Sequence, residues 1–462
     1  MSEQVNEKGG ASETDPNVVV RWITSKLMTR LFSERRMCAK RAKAESRRKK
    51  ADAPHRIEYF HQLDDGYSHL AAQLLQSLAQ RYDVKLVCHL VNGPEGTPEN
   101  KNIPEPDLLS RLSRFDAFHV APEYGLEFPK HAEPLLPALS ARAAEILAAQ
   151  DSKSFIECAA EVGRAMWAGN DAELEQLAEQ YGSVSSEAAE KKQLVGRQRL
   201  TELKHYSGAM FYYGGEWYWG VDRLYHLEKR LASVGADRNP GQALLVDRPA
   251  CEAGPLKDNG SLTLEVFPSL RSPYSAISFD RAVKLARDSG VKLVVRPVLP
   301  MIMRGVPATH EKGMYIFMDA AREARVAGTP YGHFSDPIGD PVRRAYSLYP
   351  WAEAQGKGAE FISSFLSGAF AQGVNTNRTS GLKTVVEQAG LDWNTAKDLA
   401  GKPGWELALE ENRQAMYEAG LWGVPSFRLL DQSGKPVLAL WGQDRLWLFA
   451  REIQRLLASV SS

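Results

Sequence analysis

With 57 basic and 57 acidic side chains among 462 residues, the chain exceeds one ordinary hydrophobic core and has no whole-molecule field favouring nucleic acid or membrane. Its four cysteines, Cys38, Cys88, Cys158 and Cys251, stand far apart with no Cys-x-x-Cys, so neither a redox dithiol nor a cysteine zinc site is signalled. The polar N-terminus lacks an apolar signal core and no apolar run reaches membrane-spanning length, so a cytoplasmic chain without a transmembrane segment is expected.

Residues 1–17 are polar and expected to lack fixed structure. From Val18 to about Lys50 the sequence turns basic, through Arg21, Lys26, Arg30, Arg35, Arg36, Lys40, Arg41, Lys43, Arg47, Arg48 and Lys49. Val20, Ile23, Leu27, Leu31 and Met37 give its first half a partial apolar stripe, the pattern of a helix that packs or binds through one face. Two uses fit: docking on an acidic lipid, nucleic acid or protein partner, or a solvated extension lying on its own fold.

A strand over Arg56–Phe60, the turn Gly66-Tyr67-Ser68, a helix from Leu70 to about Tyr82 and a strand Val84–Val91 come next. A long helical stretch over about 134–205 precedes a hairpin from Met210 to Trp219 and a last helix. After a Gly-, Pro- and Asp-rich linker at 235–260 the series returns. Thr263 and Glu265 alternate with Leu264 and Val266 in a strand, and Ser272-Pro273 opens a helix as N-cap and first helical residue. A strand at Val291–Val298, helical sequence over about 310–420 carrying Phe361, Phe365 and Phe370, a hairpin from Pro425 to Trp441 and a closing helix follow.

Glu58 and Glu265, Phe60 and Phe267, Tyr67 and Tyr274, and Ser68 and Ser275 are each 207 residues apart, and Val-Lys-Leu-Val recurs in the same register. Trp-Gly-x-Asp-Arg-Leu also occurs twice, from Trp219 and from Trp441. The expected fold class is therefore α/β: two tandem thioredoxin-like domains, each with an inserted helical subdomain, plus a basic N-terminal extension. The boundaries expected are 1–54 for the extension, 55–234 for a degenerate copy, 235–260 for the linker and 261–462 for the copy with the Ser-x-x-Ser site.

Ser272-Pro-Tyr-Ser275, Gly423-Val-Pro-Ser-Phe427, Trp441-Gly-Gln-Asp-Arg445, Arg296-Pro297 and Lys312-Gly-Met-Tyr315 together resemble the DsbA-like thioredoxin superfamily. The likeness is to its glutathione-using branch of 2-hydroxychromene-2-carboxylate isomerases and kappa-class glutathione transferases. It implies glutathione as cofactor, with Ser272 hydrogen-bonding the sulfur and Val424, before the cis-proline position Pro425, pairing its backbone with the cysteinyl part. It further implies that Gln443 and Asp444 receive the γ-glutamyl end, and that Lys312 contacts the tripeptide. The branch's Gly-Asn loop is not visible in Met301–Pro307. Ser272 as a plain N-cap and Asp444 as a plain helix-start residue are the competing structural readings.

The resemblance places Ser272-x-x-Ser275 where the superfamily's oxidoreductases carry a Cys-x-x-Cys dithiol, and a hydroxyl cannot undergo thiol–disulfide exchange, so that chemistry is excluded at this position. In the first copy Asp65 stands where Ser272 stands, and Met210 is aligned with Pro425. His61, Asp64, Asp65 and His69 read as a polar turn, with no metal site. The expected function is a glutathione-dependent isomerase or transferase acting on a small unsaturated, aromatic-derived acid, with one site in the C-terminal copy. The alternative is a non-catalytic double thioredoxin-fold scaffold that holds a partner through its groove and basic arm.

Overall fold

The computed structural model describes residues 15–93, 105–130, 133–306 and 308–460; most of the polar start of the chain and Pro307 lie outside these. Two compact units separate: a C-terminal unit of Met1–Arg36, Asn102–Leu108 and Ala250–Ser462, and an N-terminal unit of Met37–Lys101 and Leu109–Pro249. The basic stretch is divided between them, its first half belonging with the C-terminal unit. It folds as helices α1 (Val18–Leu31) and α2 (Glu34–Lys50), with Asn17 capping α1.

In the N-terminal unit β1 (His55–Gln62) runs through α3 (Gly66–Ala72) and a second short helix to the parallel strand β2 (Val84–Val91). Helices Pro137–Ala149, Ser152–Trp167, Asp171–Tyr181 and Ser186–Glu202 occupy the insert. The antiparallel pair β3 (Met210–Tyr213) and β4 (Glu216–Trp219), then α4 (Leu224–Ser233), close the unit, and the sheet order is β2-β1-β3-β4.

The C-terminal unit has the same plan. Strand β5 (Thr263–Phe267), helix α5 (Pro273–Ser289) and the parallel strand β6 (Lys292–Val295) precede a helical region that begins with α6 (His310–Ala327). Strands β7 (Ser426–Leu430) and β8 (Pro436–Trp441) and helix α7 (Leu446–Val460) complete it, in the order β6-β5-β7-β8.

Alternation in β5 suggests one solvated face, yet Glu265 is as buried as Leu264 and Val266. A middle strand flanked on both edges and covered on both faces has no wet side. The carboxylate is kept there by Arg296 Nε, which donates to Oε1 at 2.6 Å, and by Arg428, which donates to Oε2. Glu58 on β1 is held in the same way by Arg199, at 2.9 and 2.7 Å, and by His89 at 2.9 Å. Leu264 and Val266 meet Phe279, Ala282 and Leu285 of α5 and the insert's Phe361, Phe365 and Phe370 in one core. Each such side chain contributes about 1.5–3 kcal/mol by leaving water.

The stripe assigned to α1 turns the other way. Arg21 and Ser25 are its buried residues, while Val20, Ile23 and Leu27 are exposed. Periodicity groups residues on a face; polar partners on the neighbouring loop decide which face packs.

Candidate functional site

The site is built at one end of the C-terminal sheet. Pairing of Phe267 with Ser426, and of Ser426 with Trp441, brings the end of β5, the start of β7 and the end of β8 side by side. The loop from β5 into α5, the Gly423–Pro425 turn and the Gly442–Asp444 turn therefore emerge together.

Ser272 is the N-cap of α5 and is 9% exposed. Its Oγ accepts the Ser275 N–H at 3.1 Å, and its carbonyl accepts the Ala276 N–H at 3.0 Å. Among the described residues nothing accepts its hydroxyl proton. Pro273 fits the first helical position because its fixed φ matches the helix and its missing N–H is not needed there. Ser275 is spent otherwise: fully buried, its Oγ accepts the Ser269 N–H at 3.1 Å and closes the loop. Arg271 makes two bonds of 2.9 Å to Asp336, and the segment carrying Asp336 is held in turn from α1 by Arg21, which donates to the carbonyls of Asp336 (2.8 Å) and Ile338 (2.7 Å).

The Val424–Pro425 bond is cis. Around it the Gly423 carbonyl accepts from Ser426 Oγ at 2.6 Å and the Pro425 carbonyl from the Gly442 N–H at 3.0 Å. Val424, partly exposed, has neither its N–H nor its C=O paired among the described residues. Gly423 has no room for a side chain, since a Cβ would stand 2.7 Å from the Trp441 indole.

Lys312 lies in the first turn of α6 with its Nζ 5.8 Å from the ring centre of Trp422, and no hydrogen bond or ion pair among the described residues engages its ammonium. Burial pulls its pKa below the ordinary lysine value. Gln443 faces inward: its Nε2 donates to Glu323 Oε2 at 3.0 Å and its Oε1 accepts from Arg281 at 3.1 Å. Asp444 lies in the turn before α7, with Arg445 Nη1 3.6 Å from its carboxylate.

Two partners of this site escaped the sequence reading. Tyr274 Oη donates to Asp319 Oδ2 at 2.9 Å, and Arg322 donates to Asp319 Oδ1 at 2.8 Å, tying α5 to α6 through a carboxylate with no exposure. The i,i+3 spacing of Asp319 and Arg322 was legible, but such pairs ordinarily sit on solvated faces.

In the N-terminal unit Asp65 takes the capping place, its carboxylate accepting the N–H groups of Tyr67 and Ser68 at 3.2 Å. Ser68 Oγ accepts the Gln62 N–H at 3.1 Å, and Tyr67 donates to Asp116 at 2.5 Å. One alignment needs correction. Met210 pairs with Phe60 and Trp219, whereas Phe267 and Trp441 pair with Ser426, so the counterpart of Pro425 is Ala209 and not Met210. The Ala209 carbonyl accepts the Gly220 N–H at 2.7 Å, as Pro425 does from Gly442, and its φ of 54° lies in the left-handed region.

Burial pushes the Asp65 carboxyl up to about 6, from 3.8. A raised carboxyl makes the folded form bind more protons, so its cost appears as pH rises through the window between those values. Melting curves of Asp65→Asn and wild type are therefore expected to diverge in the variant's favour from pH 4 to pH 7; a pH-independent difference would refute this.

Burial likewise pulls His61 down to about 3 and His69 to about 4, leaving both neutral at pH 7. No group of three or more His, Cys, Asp or Glu among the described residues is arranged to hold a metal ion. The four cysteines are free, and burial pushes the thiols of Cys88 and Cys158 up to about 12, which makes them poor nucleophiles at neutral pH. No helix among the described residues is long and apolar enough to cross a membrane.

A family model described as the DSBA-like thioredoxin domain matches residues 263–454. A 2-hydroxychromene-2-carboxylate isomerase from Pseudomonas putida is 23% identical over 193 residues, which is 40% of this chain and 91% of the relative. Among solved structures, a 2-hydroxychromene-2-carboxylate isomerase aligns at 21% identity over 43% of this chain and 98% of its own, with a TM-score of 0.36. A probable DsbA oxidoreductase from Streptomyces coelicolor aligns at 17% over 42% and 90%, with a TM-score of 0.34. The C-terminal part of this chain carries a DsbA-like thioredoxin domain, one whose helix start has Ser272 as its cap and Ser275 buried behind it.

Proposed function

We propose that the C-terminal unit is a glutathione-dependent isomerase or transferase for a small unsaturated, aromatic-derived acid, and that the N-terminal unit is a decayed copy of the same domain. One observation carries the enzymatic reading: at the same end of the sheet, among the described residues, Ser272 keeps a hydroxyl proton to give and Val424 keeps an unpaired N–H and C=O. These fit a thiol tripeptide, because an extended peptide backbone completes Val424 while an anionic sulfur completes Ser272. Glutathione, when bound, supplies the nucleophilic thiol.

The chain's own groups then have separate tasks. Ser272 Oγ, its acceptor side already turned to Ser275, donates its proton towards the sulfur position, and the α5 dipole favours an anion there. Lys312, partly buried and with a lowered pKa, offers a cation to a carboxylate. Asp444 faces an ammonium only in competition with Arg445. Gln443 is committed to Glu323 and Arg281, so its part is to hold the turn. In the N-terminal unit Asp65 would repel a thiolate and Ala209 replaces the cis-proline, which supports a single working site.

The decayed-copy reading rests on the shared strand order, the 207-residue register of Glu58, Tyr67 and Ser68, and the matching Tyr–Asp bonds. A scaffold role is favoured by the inward commitment of Gln443.

Titration calorimetry with glutathione separates the two. Binding by the wild type, together with conversion of 2-hydroxychromene-2-carboxylate followed by absorbance, supports the enzyme. No binding at millimolar glutathione rejects it. Lys312→Ala is expected to weaken glutathione about tenfold, roughly 1.4 kcal/mol, with partial rescue by Lys312→Arg; unchanged affinity would remove Lys312 from the site.

A further inference from the structure

Helix α1 is inverted. One row of its polar residues faces the fold: Arg21 is 3% exposed and bonded to the carbonyls of Asp336 and Ile338, and Ser25 Oγ accepts the Asp336 N–H at 3.1 Å. Thr29 Oγ1 accepts the Phe334 N–H at 3.0 Å, and just beyond the helix Phe32 stacks on Phe317 at 5.4 Å. Spaced at i, i+4 and i+8, these bonds fix the rotation of the helix, so its other side cannot roll inward without losing them.

That other side is apolar and wet. Val18, Val19, Val20, Trp22, Ile23 and Leu27 are all exposed, Val19 at 64%, Trp22 at 60% and Leu27 at 59%. Six large exposed hydrophobic side chains within ten residues form a patch, unlike scattered single exposures. By helical spacing Val19, Ile23 and Leu27 make one row, and Trp22, Lys26 and Arg30 make the row beside it. No acidic residue occurs between Val18 and Ser33. The chain continues into α2, where Arg35, Arg36, Lys40, Lys43, Arg47, Lys49 and Lys50 are exposed.

We propose that this face of α1 docks on an anionic lipid surface, lying in the interface without crossing it. An apolar row beside a cationic row suits the headgroup boundary, where the first enters the acyl region and the second reaches lipid phosphates. Tryptophan is itself favoured at that depth. Shape complementarity is not needed, which suits a convex helix face. A second copy of the chain fits less well, because like-facing helices would bring the Lys26–Arg30 rows together. Nucleic acid has use for the cations but none for Val19, Ile23 and Leu27. Residues 1–14 offer only Met1, Val5 and Ala11 as apolar side chains, too few to cover the patch.

The test is co-sedimentation of the full chain with phosphatidylcholine vesicles, with and without a quarter phosphatidylglycerol. Binding at least tenfold stronger to the anionic vesicles is expected, weakened by 0.5 M salt. Binding should fall tenfold or more in the triple variant Trp22→Ser, Ile23→Ser, Leu27→Ser. Circular dichroism checks that this variant folds. The pair Lys26→Glu, Arg30→Glu, whose side chains make no hydrogen bond or ion pair among the described residues, gives the same readout independently. Absence of wild-type binding, or binding unchanged in both variants, overturns the proposal. So does sedimentation velocity showing an oligomer that the triple variant dissolves while vesicles stay unbound, or a duplex-DNA shift that depends on Lys26 and Arg30 without vesicle binding.

Discussion

Ser272→Asp is expected to keep the fold and the helix cap, with a stability cost that appears as pH rises and the buried carboxyl must ionise, and to lose glutathione binding and turnover by at least two orders of magnitude. The substitution separates the two roles of this residue. Aspartate is as good an N-cap as serine, and Asp65 fills the equivalent place in the N-terminal unit with bonds to two backbone N–H groups. A carboxylate has no proton to donate at neutral pH, and it repels an anionic sulfur. Ser272→Ala loses the cap as well, about 1 kcal/mol, so its loss of activity is mixed with loss of stability. If Ser272→Asp binds glutathione like the wild type, Ser272 is a cap and nothing more.

Glu265→Ala is expected to be the most destabilising single change in the C-terminal unit, by about 3–5 kcal/mol, because removing one member of a buried ion pair leaves the other without compensation. Here both Arg296 and Arg428 donate to a carboxylate on the middle strand that is 2% exposed. Glu265→Gln keeps the shape and an acceptor, so a loss nearer 1–3 kcal/mol is expected. Urea unfolding at pH 7 of all three proteins measures the ordering, and equal stability of wild type and Glu265→Ala would show the pair to be idle.

Acid acts on the corresponding pair in the other unit. Burial alone would raise the pKa of Glu58, but hydrogen bonds from Arg199 and His89 hold the carboxyl well below its ordinary value. A lowered carboxyl contributes stability above its ordinary value of 4.5 that disappears as pH falls towards its folded value. This loss on acidification runs opposite to the effect of Asp65, which is why the Asp65→Asn comparison is read as a difference between two proteins.

How far the site could be read in advance depends on the range of the interactions. Ser272 followed by proline names a helix start because capping and proline geometry are local. The cis bond at Pro425 was open to analogy alone, since the two residues around it do not specify it. The resemblance gives Gln443 to the γ-glutamyl end of glutathione, and nothing in its near neighbours shows that its amide also meets Glu323 and Arg281, residues 120 and 162 positions away. The Tyr274–Asp319 bond was invisible for the same reason: a hydrogen bond across 45 residues exists only after α5 and α6 have packed.

The amino-acid sequence by itself determined the repeated order of strands and helices, the helix start at Ser272, and the exclusion of dithiol chemistry there, because propensity, capping and the reactivity of a hydroxyl are properties of short stretches. Only the tertiary structure decided that Glu265 is buried on both sides of its strand, that Ala209 and not Met210 answers to Pro425, and that α1 turns Arg21 inward and Trp22 outward. The physical reason is common to all three. Periodicity states which residues share a face, but which face is covered depends on the strands, loops and charged partners that arrive from elsewhere in the chain.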